Sequence, residues 1–409
     1  MAAAAALVFE KRHELFYARL TGNPLSRSID RRAALRIAVS ALAFRLLSAI
    51  LALFINIAFP LDAPRQATVY ATPSTFWDTF ARYDSGWYEG IARNGYEYAP
   101  GGRSNIAYFP VYPMLMRQVG RIFGRYHAAF YFGGIVVSWT SFVLAMVALY
   151  YLARLDLPRH RAERAVLLTA IFPFAFFFGV IYSESTFLLF TVLAFYLLRT
   201  RRWLMGGASA ALAIATRVTG VLMWPALAWM AWKNAEPTPR ARVRAAAALL
   251  ISLIGFVWYC GYVYGVSGNP FEWAATLQRW NYHVGGAPWS APLRLIRELV
   301  TRPYAFLAGE GTALYDTLYG VAGILFLVAV PFVWARLGAG YGLFMLLNLL
   351  LPLSSGIFEG VGRYCSVLFP AFIWLASLRS RRIGTAIVVL FALFYTLGLA
   401  LFTTIHPLF

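Results

Sequence analysis

The stretch "FARYDSGWYEGIARNGYEYAPGGRSNIAYFPVYP", which begins at Phe80, sets Asp84, Glu89 and Glu97 among Tyr, Trp, Gly and Pro residues in a chain otherwise rich in Leu, Ala and Phe. A carboxylate close to aromatic rings and flanked by Arg82 has the character of a general base for a sugar or lipid hydroxyl, and Asp84 is the candidate. Arg82, Trp87 and Tyr88 stand beside it as candidate substrate-binding residues. The plainer alternative is a helix cap: Asp84-Ser85-Gly86-Trp87 could open a helix whose backbone N–H groups the aspartate accepts. Asp78 is the nearest rival, with the same alternative open to it.

Other candidates lie far along the chain. Glu184, in "YSEST", falls at an outward tip between two apolar runs, where a carboxylate at the membrane centre would cost about 2.5 to 3.5 kcal/mol and less near the edge. It could hold an arginine or a substrate hydroxyl. Arg217 and Arg363 stand at outward helix ends, where a planar guanidinium suits a pair of phosphate oxygens or a neighbouring carboxylate such as Glu184 or Glu359. Trp280, Asn281, Tyr282 and His283 suit sugar hydroxyls and apolar sugar faces, or an aromatic belt at the membrane interface. Arg45, inside the first apolar run, is expected to snorkel or to pair within the bundle.

The elements that must position these groups belong to a membrane protein. The 409 residues are 60% hydrophobic and only 13% charged, far from the composition of a soluble domain. Apolar segments recur from Ala33 to Phe59, His127 to Leu152, Ala165 to Leu198, Leu204 to Trp232, Ala245 to Val266, Leu314 to Trp334, Tyr341 to Leu353, Tyr364 to Leu378 and Ile383 to Phe402. A crossing needs about 20 such residues, so the third and fourth runs read as hairpins and the tally is about 11 transmembrane helices. The expected fold class is an all-α polytopic bundle. Residues 1–32 form a cytoplasmic N-terminal segment and 33–409 a single integral-membrane domain.

The net charge of +19 is not a nucleic-acid signature, because the arginines and lysines cluster at every second connection while the acids take the others. That alternation is the positive-inside pattern, with the N-terminus cytoplasmic and any chemistry extracytoplasmic. The first span then serves as a signal anchor. Two cysteines, Cys260 and Cys365, lie in or beside apolar runs, and the five histidines show no ligand spacing, so neither a disulfide framework nor a protein-bound metal is expected.

Two outward connections are long: 61–126 and 267–313. Long connections are functional or disordered, and the aromatic content of these, Trp77, Trp87, Tyr88, Phe109, Trp273, Trp280 and Trp289, argues against disorder. The spacing predicts one or two short amphipathic helices over Thr75 to Arg93, ended by Gly95, and another over Met114 to Phe123. Leu204 to Ala215 and Val218 to Trp232 are too short for two crossings at ~1.5 Å per residue against a ~30 Å core, and Arg217 sits between them.

"RYDSGWYEGIARNGY" with "YFPVYP", then "GVIYSEST", "ATRVTG", "GNPFEWAATLQRW" and "EGVGRYCSVLFPAF" together resemble the ordered blocks of PIG-V-type mannosyltransferases, glycosyltransferases of the GT-C fold, and specifically their bacterial relatives. The likeness runs from about Phe76 to Ala371. Tyr83 stands where the family commonly has Trp. The resemblance implies a GT-C-like bundle in a bacterial inner membrane and a polyprenyl-phosphate-linked sugar donor, mannose by analogy. It also implies catalysis at Asp84 on the outer face and a glycan, lipid or protein as acceptor. With a phosphodiester donor held among membrane lipids, it implies no cofactor and no nucleic acid partner. A polytopic transporter or lipid flippase is the alternative from a different class, with intramembrane Arg and Glu gating a path, although no pairing of related halves is visible. A non-catalytic assembly subunit is the third.

Overall fold

The computed structural model describes residues 30–62, 74–279, 282, 285–304, 308, 314–358 and 360–408. Every regular element among them is helical, in keeping with the apolar periodicity. Five helices are long and apolar enough to cross a membrane: α1 (Arg31–Ala58), α4 (His127–Arg154), α9 (Pro239–Ser267), α12 (Leu314–Leu337) and α16 (Arg381–Thr403). The remaining apolar runs, where further spans were expected, are built from shorter pieces. These are α5 (Arg159–Ala170), α6 (Glu184–Arg199), α7 (Trp203–Ile214), α8 (Trp224–Asn234), α13 (Ala339–Leu353), α14 (Val361–Ser366) and α15 (Phe369–Ser377).

The breaks have local causes. Between α5 and α6 the chain leaves the helix at Ile171 and passes through a 3-10 turn, Ala175–Phe178, before helix resumes at Glu184. Such a break frees backbone carbonyls, which membrane-depth structure must satisfy internally. Arg45 does this from the middle of α1: its Nη1 donates to Ala175 C=O at 3.1 Å and its Nη2 to Ala170 C=O at 3.3 Å. Its guanidinium also lies over the Phe142 ring at 4.3 Å. Arg45 therefore pairs within the bundle and does not snorkel. The aromatic residues of the break, Phe172, Phe174, Phe176, Phe177 and Phe178, are all buried in the main core.

The short pair behaves as its length dictates. α7 has 12 residues, about 18 Å at ~1.5 Å per residue against a ~30 Å core. It ends at a stretch in which Arg217 is extended (φ −150°, ψ 143°), followed by a 3-10 turn, Val218–Met223, and α8. Gly255 on α9 lets that long helix back α7 closely, because a Cβ there would stand 2.2 Å from the Ala211 carbonyl oxygen.

The first long connection folds as the amphipathic spacing predicts. A turn of helix at Thr75–Asp78 precedes α2 (Ser85–Asn94), which Gly95 ends at φ 100°; only glycine adopts such backbone at low cost. α3 (Val111–Phe123) starts slightly earlier than expected, because Pro110 occupies the cap and Pro113 is tolerated in the first turn. The buried face of α2, with Tyr88 and Ala92, packs into a cluster with Tyr112 and Met116 of α3 and Phe130 and Tyr131 of α4. The connection is also tied to the bundle: the Tyr259 hydroxyl of α9 donates to Ile106 C=O at 2.6 Å, and Val111 N–H to Ala215 C=O at 3.1 Å. From the second long connection, the α10 helix (Glu272–Arg279) meets the first, where Tyr98 donates to Glu272 Oε1 at 3.2 Å.

Charge sorts to the two ends. Asp30 with Arg159, Arg36 with Glu163, Asp156 with Arg199 and Arg201 with Glu236 form ion pairs among the connections that carry the basic clusters. Glu184, considered below, lies at the opposite end of α6 from Arg199. Both cysteines are buried as free thiols.

Candidate functional site

Asp84 occupies the N-cap position of α2, yet its side chain makes no capping hydrogen bond. Its carboxylate instead meets Arg363, whose Nη1 donates to Oδ2 at 2.7 Å, and Tyr108, whose hydroxyl donates to Oδ1 at 2.9 Å. The first turn is held by backbone bonds, Ser85 N–H to Arg82 C=O and Trp87 N–H to Asp84 C=O, each at 3.0 Å, while Ser85 Oγ accepts from Arg82 N–H and donates to Ile181 C=O. Tyr83, immediately before, holds φ 48° without being glycine, a sparsely populated conformation that persists only where surroundings enforce it. Here the Tyr83 hydroxyl donates to His406 C=O at 2.6 Å, anchoring the turn to the C-terminal end of the bundle.

Around Arg363 the charges alternate. Glu184, at the first position of α6, is fully buried, and its Oε1 lies 2.8 Å from Arg363 Nε and accepts a hydrogen bond from Arg217 Nη1. The Arg363 Nε contact is out of line for a hydrogen bond and is ionic. A carboxylate in the first turn of a helix is also favoured by the helix dipole. The side chains of Arg217 and Arg363 are 8% and 14% exposed and that of Asp84 24%, so the row Asp84, Arg363, Glu184, Arg217 opens at its Asp84 end. Two carboxylates, Asp84 at 2.7 Å and Glu184 at 2.8 Å, offset the burial of the Arg363 guanidinium. Glu184 Oε2 is buried without a hydrogen-bond partner among the described residues, an acceptor left over in the site.

Aromatic rings wall this row. The Arg363 guanidinium lies 5.0 Å from the Tyr182 ring and that of Arg217 5.3 Å from the Tyr364 ring. Tyr88 shares a hydrogen bond with Ser183 Oγ at 3.0 Å and packs edge-on to Tyr108 at 5.2 Å, while Trp87 stacks on Tyr108 at 6.1 Å. Burial, then the Asp84 charge, raises the Tyr108 pKa well above its ordinary value, so this hydroxyl stays a donor. Tyr282, from the second long connection, adds a buried hydroxyl on which Tyr364, Arg363 and Arg217 all act.

The structure thus gathers Asp84, Trp87, Tyr88, Glu184, Arg217 and Arg363, drawn from four separate stretches of the chain. It does not bring Arg82 to them. That side chain is 1% exposed, pairs with Asp78 at 3.8 Å, and donates to Asn56 Oδ1 and Thr403 C=O, each at 3.2 Å. Asp78 is held in the same network rather than at the site. Trp280 and His283 lie outside the described residues, as does Glu359. Tyr108, Tyr182 and Ser183 were not singled out from sequence, although each sits within or beside a stretch that was, whereas Tyr282 was named with Trp280, Asn281 and His283.

Similarity to solved structures is confined to overall form. The apo oligosaccharyltransferase of Archaeoglobus fulgidus superposes with a TM-score of 0.46 at 13% identity, covering 90% of this chain and 56% of that one. The same organism's archaeal oligosaccharyltransferase AglB, in complex with an inhibitory peptide and a dolichol-phosphate, gives 0.41 at 14% identity, with 90% and 56% covered. The chain therefore spans little more than half the length of either. No curated protein matches it. The sequence model of the mannosyltransferase (PIG-V) family matches residues 28–235, which carry Asp84, Glu184 and Arg217, and the chain belongs to that family.

Proposed function

We propose that the protein is a membrane glycosyltransferase of GT-C type that moves a hexose, mannose by family, from a polyprenyl-phosphate-linked donor to an acceptor hydroxyl on the extracytoplasmic face. The observation that carries this reading is the Asp84 carboxylate, released from helix capping and paired 2.7 Å from Arg363 at the open end of a buried charge row. Family membership supports the sugar and the reaction class. The alternation of basic connections supports a cytoplasmic N-terminus in a bacterial inner membrane.

In the proposed step the acceptor oxygen attacks the anomeric carbon from the face opposite the phosphate, and the configuration inverts. The bond between that carbon and the phosphate oxygen breaks, its electron pair stays on the oxygen, and polyprenyl phosphate leaves. The acceptor proton passes to Asp84. Arg363, with Arg217 behind it, stabilises charge growing on the departing phosphate. Trp87 and Tyr88 line the sugar's approach, and the unpartnered Glu184 oxygen accepts from a hydroxyl. The lipid tail lies among the helices, so the phosphate arrives at the interface without a nucleotide pocket.

The test is direct. Purified protein in detergent is incubated with radiolabelled polyprenyl-phosphate-mannose and a membrane extract as acceptor source. A labelled product with a new glycosidic bond is expected. Uptake of donor into proteoliposomes without such a bond would replace this reading with transport.

A further inference from the structure

Resting on that reading, we propose that Arg363 is a switch: the donor phosphate displaces the Asp84 carboxylate from this guanidinium, and Asp84 becomes an effective base only once the donor is seated. Before substrate arrives, two carboxylates and two guanidiniums alternate along the row, so their charges cancel. Both Asp84 oxygens are already engaged, Oδ2 by Arg363 at 2.7 Å and Oδ1 by the Tyr108 hydroxyl at 2.9 Å, so the carboxylate must leave Arg363 before it can meet an acceptor hydroxyl. An entering phosphodiester must therefore compete for an arginine, and the geometry says which pair yields.

Glu184 cannot yield. It is fully buried and in contact with both arginines, and withdrawing it would strand two buried cations. Asp84 can, because it is the most exposed member of the row and Tyr108 donates to its other oxygen at 2.9 Å. It can swing off Arg363 and keep that hydrogen bond. Arg217 is screened from an entering ligand by Glu184, Ser183 and the Tyr364 ring. Arg363 is the guanidinium reached first, and freeing Nη1 from Asp84 exposes a planar edge suited to a phosphate.

The charge count then drives the chemistry. The diester adds one negative charge, and transfer keeps that total: as Asp84 takes the acceptor proton the row gains a net positive charge, facing the second negative charge left on the departing phosphate. The groups that set this balance at Asp84 are Arg363, Tyr108 and Tyr182 in contact, with Tyr88, Glu184 and Arg217 behind them. Donor binding and release of the Asp84 carboxylate are thereby coupled through one side chain.

The experiment measures binding of farnesyl methyl phosphate, a diester with one charge and no sugar, to the full-length protein in detergent by calorimetry. Asp84→Asn and Asp84→Ser, two variants in case one fails to fold, are expected to bind it at least about fivefold more tightly than wild type, within the usual range of coupling between sites. Arg363→Lys is expected to bind it more weakly, and Asp84→Asn added to Arg363→Lys to give no gain. If wild type transfers mannose and binds the diester but neither Asp84 variant binds tighter, the switch is overturned while the transferase reading stands. A gain that persists without Arg363 also overturns it. If wild type neither transfers nor binds, both readings fall.

Discussion

Asp84 and Glu184 are bound by the same guanidinium, Arg363 meeting Asp84 Oδ2 through Nη1 at 2.7 Å and Glu184 Oε1 through Nε at 2.8 Å. The two carboxylates differ in burial, and so in what their loss should do. Asp84 is partly open and its removal leaves Arg363 still paired with Glu184. Asp84→Asn should therefore leave the melting temperature in detergent nearly unchanged while lowering turnover by ~10² to 10⁴, the usual weight of a general base. Near-normal transfer by a folded Asp84→Asn protein would remove it from the mechanism.

Glu184 should behave in the opposite order. Glu184→Gln deprives two buried arginines of their shared counter-ion, and breaking such a pair from one side typically costs about 3 to 5 kcal/mol. A large drop in thermal midpoint is expected, larger than for Asp84→Asn, and Glu184→Asp should recover part of it. Equal melting curves for the Glu184→Gln and Asp84→Asn proteins would contradict the burial argument.

The long helix α9 lies close against α7, the short helix that leads to Arg217. Gly255→Ala puts a methyl group 2.2 Å from Ala211 C=O, where backbone must shift because no flexible side chain can give way. Overpacking of this kind costs roughly 1 to 3 kcal/mol. Lowered stability with reduced transfer is expected, whereas Gly261→Ala on the same helix, which meets nothing within 4 Å, should be silent in both assays.

A pH effect arises outside the spans, where Glu89 of α2 meets His127 Nδ1 at 2.9 Å and Arg93 at 4.0 Å. Burial raises the Glu89 pKa above its ordinary 4.5 despite the opposing pull of His127 and Arg93. A carboxyl whose folded pKa is raised holds its proton more tightly in the native state, so its contribution is full below pH 4.5 and is lost as pH rises through the folded value. Glu89→Gln should accordingly gain stability relative to wild type as pH rises above that range and show no advantage below it. A difference that grows toward acid pH would reverse the assignment.

Much of the site was legible as separate residues. Asp84, Glu184, Arg217 and Arg363 each stood out because a charged side chain among apolar runs is costly and must have a partner. Each also carried an ordinary explanation, a cap or a local ion pair, which one-dimensional spacing cannot decide. The folded contacts rule against the cap at Asp84, since the carboxylate turns from the α2 N–H groups to Arg363. They also separated neighbours. Arg82 lies two positions from Asp84, yet the turn at Tyr83, with φ 48°, stands between them, and Arg82 is bound into the network of Asp78, Asn56 and Thr403.

The sequence by itself determined the membrane class, the helical composition, the polar connections at opposite ends and the short helix pair around Arg217. Those properties depend on hydropathy, charge and helix-breaking residues within windows of about twenty positions, which any contiguous stretch displays. Only the tertiary structure decided that groups from the first connection, the start of α6, the tip after α7 and the α14 helix share one charge row. Their proximity depends on how broken helices pack and on which carbonyls Arg45 and Tyr259 satisfy, a balance of contacts between residues more than a hundred positions apart. No local pattern encodes that balance.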